Sequence, residues 1–350
     1  MKKNALARAL PWLAFAFSGS LFAQSQVTIY GVIDTNLEYI NNLPKEGGGS
    51  GTAFRMRDSG LQGPRLGFRG SEDLGGGLKA IFTFEHGLNS TNGAQADPAR
   101  FFNRGAFMGL ETQHHRVTLG RQYTSLFDAL LFITPLSYSG AYEPFSPLLG
   151  GLRNNSAVKY RFNMDGWLAQ VHYAFGDQPD SKAANAAWGG YLGYAKNGWN
   201  AAIAADQQNG ASVNGAYSRA RKIAIGASYQ FDQTLRLSAG YRWGENKTET
   251  GVTALRDDYW WIGANYKAST PLTLSFGYYQ DNVRTRNGTG QQPTMRQLTL
   301  QAVYALSKRT SLYAAVSHAK NAGLGMTALS TLGGDAHSQS GVSVGIRHAF

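Results

Sequence analysis

The 350-residue chain contains no cysteine, which removes disulfide frameworks, thiolate metal sites and cysteine nucleophiles together. Beyond residue 23 it has no run of 18 consecutive apolar residues, so membrane-spanning helices are excluded. Charged residues make up 16%, apolar residues 43% and mean hydropathy is −0.31, a balance that fits neither a disordered chain nor a helical membrane protein. Acidic residues are scarce against basic ones, 22 to 33, for a net charge of +11. No Lys/Arg patch with interleaved aromatics accompanies that excess, so nucleic acid is not the expected partner. The runs Gly47-Gly48-Gly49 and Gly75-Gly76-Gly77 precede no Lys-Ser/Thr pair and read as a loop and a turn, not as phosphate cradles. His114-His115 lacks a carboxylate-rich partner motif and reads as a turn. No Ser/His/Asp arrangement can be placed. Neither an enzyme nor a metal or cofactor site is expected.

What the chain has is glycine and aromatics: 43 Gly, 18 Phe and 18 Tyr, a composition suited to short strands and tight turns. Residues 1–23 read as a secretory signal. Lys2, Lys3 and Arg8 precede an apolar stretch from Leu10 to Phe17, and the small residues up to Ala23 offer a cleavage site. Removal would lower the net charge from +11 to +8 and leave one domain over 24–350. Beyond it, alternation with a period of two recurs. Val27, Ile29, Gly31, Ile33 and Leu37 oppose Thr28, Tyr30, Asp34, Asn36 and Glu38. Leu78, Ala80, Phe82 and Phe84 oppose Lys79, Thr83 and Glu85, and the last ten residues set Val342, Val344, Ile346, His348 and Phe350 against Ser343, Gly345, Arg347 and Ala349. About 16 such runs are expected, joined alternately by tight turns such as Asp165-Gly166 and by longer polar stretches near 41–53, 89–99, 176–186, 207–219, 244–257, 281–294 and 320–339.

Short turns at one end and long loops at the other are the asymmetry of outer-membrane barrels. Aromatics at outward strand ends, among them Tyr173, Phe175, Tyr241 and Trp243, fit the girdles at headgroup level. Arg65, Arg69, Glu85, Arg104, Lys159 and Arg161 sit opposite apolar neighbours. Burying them in a soluble core would cost several kcal/mol each unless paired, a penalty that a water-filled lumen removes. The expected fold is all-β, an antiparallel transmembrane barrel whose final strand ends on Phe350 and closes against the first.

Five segments in order across the chain resemble the general diffusion porins of Gram-negative outer membranes, in particular the β-proteobacterial type. They are Val27-Thr28-Ile29-Tyr30-Gly31, the run from Arg65 to Gly75, Leu119-Gly120-Arg121-Gln122-Tyr123, Arg153-Asn154-Asn155-Ser156 and the terminal Phe350. The resemblance implies a 16-stranded barrel and a homotrimer with one pore per subunit. It implies a third loop, roughly 123–152, folded into the lumen as the constriction. It also implies contact with outer-membrane lipid and lipopolysaccharide, and assembly through a barrel-assembly machinery that reads Phe350. In that family acidic residues of the loop face arginines on the wall. Here the acids would be Asp128 and Glu143, and the motif-matched cations Arg65, Arg121 and Arg153. Strand parity adds Arg104, Lys159 and Arg161. Arg121 needs a bulge to point inward, since alternation from Val117 and Leu119 sends it outward. The expected function is passive diffusion of small hydrophilic solutes with mild anion preference. A channel preferring organic acids, or a surface adhesin or receptor barrel, are the alternatives. Neutralising Arg65, Arg121 and Arg153 together is expected to move the reversal potential in a salt gradient toward cations; an unchanged potential would count against that assignment.

Overall fold

The computed structural model describes residues 26–140, 142–144, 149–179, 181–321, 329 and 331–350; the expected signal segment 1–23 lies outside them. The chain enters the barrel with β1 (Gln26–Pro44), β2 (Ser50–Asp58), β3 (Arg65–Gly75) and β4 (Leu78–Gly87). It continues with β5 (Gly105–Glu111), β6 (His115–Tyr123), helix α1 (Ser125–Ile133), β7 (Arg153–Met164) and β8 (Trp167–Ala174). Next come β9 (Ala187–Lys196), β10 (Trp199–Val213), β11 (Ala216–Phe231), β12 (Leu235–Lys247) and β13 (Thr253–Lys267). The last four are β14 (Leu272–Arg286), β15 (Met295–Ala305), β16 (Thr310–Lys320) and β17 (Ser338–Ala349).

These 17 segments form 16 barrel strands, because β2 and β3 lie end to end along the same edge of β1. The break between them is built around Asp34. Its buried carboxylate accepts the backbone N–H groups of Gly60 (3.0 Å), Leu61 (2.7 Å) and Gln62 (2.8 Å), and the Tyr313 hydroxyl. Ser59 takes a left-handed φ of 64° at this corner. Three amides removed from the ladder thus recover an acceptor, which an apolar surrounding demands.

Each strand pairs antiparallel with its sequence neighbour, and β17 returns to β1 in register from Val32↔Ala349 to Ile40↔Gly341. Phe350 completes the seam by exchanging backbone bonds with Gly31 (3.1 and 3.2 Å). Its ring lies over Gly31, where a β-carbon would sit 2.3 Å from the ring and 2.8 Å from the Arg65 carbonyl oxygen. Only glycine fits this approach.

The outward face is apolar and bare, as the alternation predicts. Val27, Ile29, Ile33 and Leu37 on β1 are exposed, as are Val342, Val344 and Ile346 on β17, while Asp34, Asn36 and Glu38 point inward and are buried. Tyr173 and Phe175 are exposed at the end of β8, where girdle residues belong, whereas Tyr241 is exposed midway along β12 and Trp243 is half-buried, because β12 runs on to Lys247. Among the described residues no helix is long and apolar enough to cross a membrane; the strands do so. Three of the expected long polar stretches need correction: 41–53 is strand but for 45–49, between β1 and β2, and 244–257 is strand but for 248–252, between β12 and β13. The polar stretch 207–219 is not a long loop, because β10 and β11 continue through it to a tight turn at Asn214-Gly215. Alternation is lost there because both faces of the hairpin are polar, not because the strands end.

Gly31→Val would strain both the seam and the Phe350 ring. It is expected to lower stability by about 1–3 kcal/mol, read as an earlier loss of the heat-modifiable band and a lower Tm in detergent.

Candidate functional site: a basic wall facing an inward loop

The lumen is narrowed by the chain between β6 and β7. This interval coincides with the expected third loop, and its first turn is the helix α1, a feature the alternation did not reveal. The signals for it are local. Thr124 caps the helix by accepting the Phe127 N–H (3.2 Å), Leu126, Leu130 and Ile133 recur on one face, and Pro135 follows the end. That apolar face packs on a patch of small inward side chains, Ala202 and Ala204 of β10 and Ala224 of β11, bordered by Tyr191 and Trp261. On β13, a β-carbon at Gly263 would come within 2.3 Å of Pro135. The wall is smooth where the helix must dock.

The helix carbonyls left without intrahelical partners find donors on the wall. Ser228 and Arg236 donate to the Phe132 oxygen and Trp261 Nε1 to that of Ile133 (2.9 Å), while Asn265 donates to the Pro135 oxygen just beyond the helix (2.9 Å). A guanidinium at this end also complements the negative pole of the helix. Farther on, Glu143 gathers the loop. Its carboxylate accepts the N–H groups of Leu136 (3.0 Å), Tyr138 and Ser139 (3.1 Å) and the hydroxyl of Tyr279 on β14 (3.0 Å). Burial pushes the Glu143 carboxyl up to about 6, although these four donors pull it down. The far end is tied by Tyr142, whose hydroxyl donates to Glu38 (3.1 Å), and by Gly140 N–H to the Leu61 oxygen.

Loop and helix therefore cover the lumen face from β8 round to β1, and the passage is left against β3–β7. There a cavity of about 480 Å³ opens between Leu131, Phe132 and Asp128 on the helix and Arg104, Lys159 and Arg161 on the wall. Glu85 of β4 ties Arg104 (2.7 Å) and Arg65 (3.5 Å), and accepts from Tyr30 (2.9 Å). Arg153 stacks its guanidinium over the Tyr123 ring at 4.1 Å and donates to that hydroxyl, which Arg104 also reaches (3.2 Å). Lys159 pairs with Asp128 (2.8 Å), held in turn by Gln170 (2.8 Å). Below it, Arg161 stands directly across from Arg116, which pairs with Glu111. Arg161, like Arg153 and Arg69, has no acidic partner among the described residues.

Of the sequence candidates, Arg104, Lys159, Arg161 and Asp128 line the cavity, and Arg65 and Arg153 stand beside it, tied to Glu85 and Tyr123 of its lining. The other two do neither. Glu143 is buried and serves as the loop's internal anchor, because its own backbone donors enclose it. Arg121 is held at the strand end by the Asn103 oxygen (2.7 Å) and Asn155, away from the cavity. The register does slip between Gly120 and Gln122, but the extra residue lies on β7 between Asn154 and Ala157, not on β6; β6 keeps its alternation, so Gln122 stays on the face of Thr118 and Arg121 does not turn inward. The wall's principal carboxylate is Glu85, whose inward parity was legible but whose pairing was not. Arg116 escaped notice although it alternates with Val117. His114 and His115 sit at the β5–β6 turn on Asn163 and Tyr160, and no metal-holding cluster occurs among the described residues.

Residues 7–324 match a family model described as Gram-negative porin. The chain is 31% identical to outer membrane porin protein 32 of Delftia acidovorans over the whole of both chains. An anion-selective porin from Comamonas acidovorans superposes with a TM-score of 0.80 at 29% identity, covering 93% of this chain and all of that one. OmpT of Vibrio cholerae in its trimer form shares the fold, with a TM-score of 0.70 at 15% identity over 93% and 99% of the two chains.

Glu143→Ala would leave three buried N–H groups and a tyrosine hydroxyl without an acceptor, at about 1–3 kcal/mol. It is expected to raise open-channel noise and expose the loop to protease. Tyr279→Phe removes one donor and should give a smaller effect. Since the folded Glu143 carboxyl titrates above the ordinary 4.5, protonation favours the folded loop. The stability contributed by this group therefore rises as pH falls from about 6 toward 4.5, and a Tm series in detergent across that window checks the sign against Glu143→Gln.

Proposed function

The chain belongs to the Gram-negative porins, proteins that act as channels and not as enzymes, and on that premise we propose that its water-filled outer-membrane pore favours small anions. The observation that carries this reading is the unequal pairing on the β3–β7 face. The acids lining the cavity, Glu85 and Asp128, and Glu111 near it are already engaged by cations, while Arg69, Arg153 and Arg161 are left over; Asp73 of β3 lies at the β3–β4 turn, where it accepts the Gly75 N–H. The wall presents net positive charge to a water-filled slot whose other side is the largely apolar Leu131–Phe132 face of the helix. Such a wall sets a field across the passage and raises the local anion concentration. A solute needs only to be small and to turn its negative end toward the wall. With a Debye length of ~8 Å at physiological salt, the preference should weaken as salt rises. The anion selectivity of the Comamonas porin supports the same reading.

The pairing of Leu131 and Phe132 with Lys159 and Arg161 across the slot also favours organic anions with a short apolar body over inorganic ones of equal charge. The trimer form of the Vibrio protein supports a homotrimer for this chain, with one pore in each subunit. Residues 1–23 are proposed to direct export and to be cleaved, and Phe350 to act as the assembly signal through its place at the closing seam.

In a salt gradient across a planar bilayer, the wild-type protein is expected to show an anion-directed reversal potential. Arg153→Gln with Arg161→Gln should reduce the anion-to-cation permeability ratio by up to about tenfold per charge, because a unit charge at ~6 Å in water favours the anion and disfavours the cation about threefold each. Arg121→Gln should change it much less. Equal effects of the two replacements would overturn the placement, and a cation-directed wild-type potential would overturn the anion reading.

A further inference from the structure

Ion pairing does not account for where the Arg153 guanidinium is held. The residue opens β7, where the inward loop rejoins the wall, and it has no acidic partner among the described residues. Its buried Nε has no acceptor there either. A long cationic side chain with Arg104 close by gains both rotamer freedom and relief from like charge by swinging out into water. What opposes that is Tyr123, directly across from it in the β6–β7 register. The guanidinium lies over the Tyr123 ring, 4.1 Å from its centroid, and donates to the phenol oxygen. Arg104 donates to the same oxygen (3.2 Å), but it is also fixed by Glu85 (2.7 Å). Two cations therefore share one neutral acceptor, and only one of them has a carboxylate as well.

Tyr123 is itself pinned by the inward loop. Its ring stacks on Phe127 of α1, with centroids 4.1 Å apart and the planes 9° from parallel. Phe127 and the guanidinium are both too near the ring to share a face, so Tyr123 is clamped between the wall cation and the first turn of the helix. Phe127 is buried and meets Tyr138 edge-on at 5.1 Å. Tyr123 also directly precedes Thr124, the residue that caps the helix, and it lines the cavity beside which Arg153 stands. Helix docking thus sets the ring, and the ring sets the guanidinium.

We infer that Tyr123 is a positioning residue for anion selectivity, holding the Arg153 guanidinium beside the slot so that a residue supplying no cation decides how much of the wall's field reaches the solute. The inference rests on the anion reading of the pore and deepens it. A unit charge ~6 Å from the solute path is worth up to about tenfold in the anion-to-cation ratio, and at ~9 Å about fivefold. Release of Arg153 by ~3 Å therefore lowers the ratio about twofold with no charge removed.

The test measures reversal potentials of the full-length protein in planar bilayers under a salt gradient. Tyr123→Phe keeps the ring and its stack on Phe127 but removes the shared acceptor, and it is expected to lower the ratio about twofold. Tyr123→Leu removes the ring too and should approach the Arg153→Gln value. In an Arg153→Gln background, Tyr123→Phe should change nothing further, since Arg104 keeps its Glu85 anchor. The heat-modifiable band of Tyr123→Phe should match that of the wild type, which separates positioning from loss of fold. A wild-type ratio in Tyr123→Phe would overturn the proposal. So would the same twofold drop in the Arg153→Gln background, because Tyr123 would then act without Arg153. The coupling is a difference between variants and is read whatever the sign of the wild-type potential, so failure of the anion reading and failure of this one are separate results.

Discussion

Within the hydrocarbon of a bilayer no water reaches the backbone, so every N–H and C=O along a spanning sheet must find a partner in the sheet itself. The seam between β1 and β17 meets that demand at the only place where distant parts of the sequence must join. Its register runs over nine residue pairs, and Phe350 and Gly31 add a further reciprocal pair of bonds. A residue with a side chain at position 31 would hold the two strands apart at the final contact. The break between β2 and β3 is tolerated under the same constraint because Asp34 replaces three lost backbone acceptors with one carboxylate. That carboxylate is also within reach of Tyr313 on β16, so the corner and the closing strands are braced together.

Closure leaves a hollow, and the chain fills it unevenly. Ala202, Ala204 and Ala224 leave the β10–β11 wall low enough for α1 to lie on it, and the donors around it, Ser228, Arg236, Trp261 and Asn265, satisfy the helix end. The opposite wall carries long cationic side chains that would collide with a docked helix, so water and solute occupy that side. Constriction and selectivity thus have one origin, the asymmetry in side-chain size and charge between two halves of one sheet. Glu143 belongs to the docking half. Its carboxylate is spent on its own loop's amides and on Tyr279, which is why it contributes no charge to the passage.

Alternation was readable wherever a strand has lipid on one side and the lumen on the other, because the two surroundings reject each other's side chains. Val342 to Phe350 follow it residue by residue, and Val27 to Glu38 do so except at Val32, apolar on the lumen side, and Thr35, polar on the outward side. The signal faded in the hairpin around Asn214, where water lies on both faces and polarity ceases to report direction. It was silent on α1, which follows a different period. Arg65, Arg104 and Lys159 were legible as inward charges, yet their partners were not, since Glu85 meets the arginines from β4 and Asp128 meets Lys159 from the helix, which only folding of the loop brings to the wall.

By itself the sequence determined the class of the protein: the export segment expected at its start, a two-residue period with a greasy and a wet face, turns at one end and loops at the other, and an aromatic last residue. Those features depend on contact with solvent or lipid, which each short segment meets locally. The tertiary structure alone decided which acid answers which arginine, that Glu143 pins the loop while Arg121 stays at the rim, and where around the ring the passage runs. These depend on distances between residues that only barrel closure and loop docking bring together, and electrostatic pairing falls off too steeply with distance to be read from order along a chain.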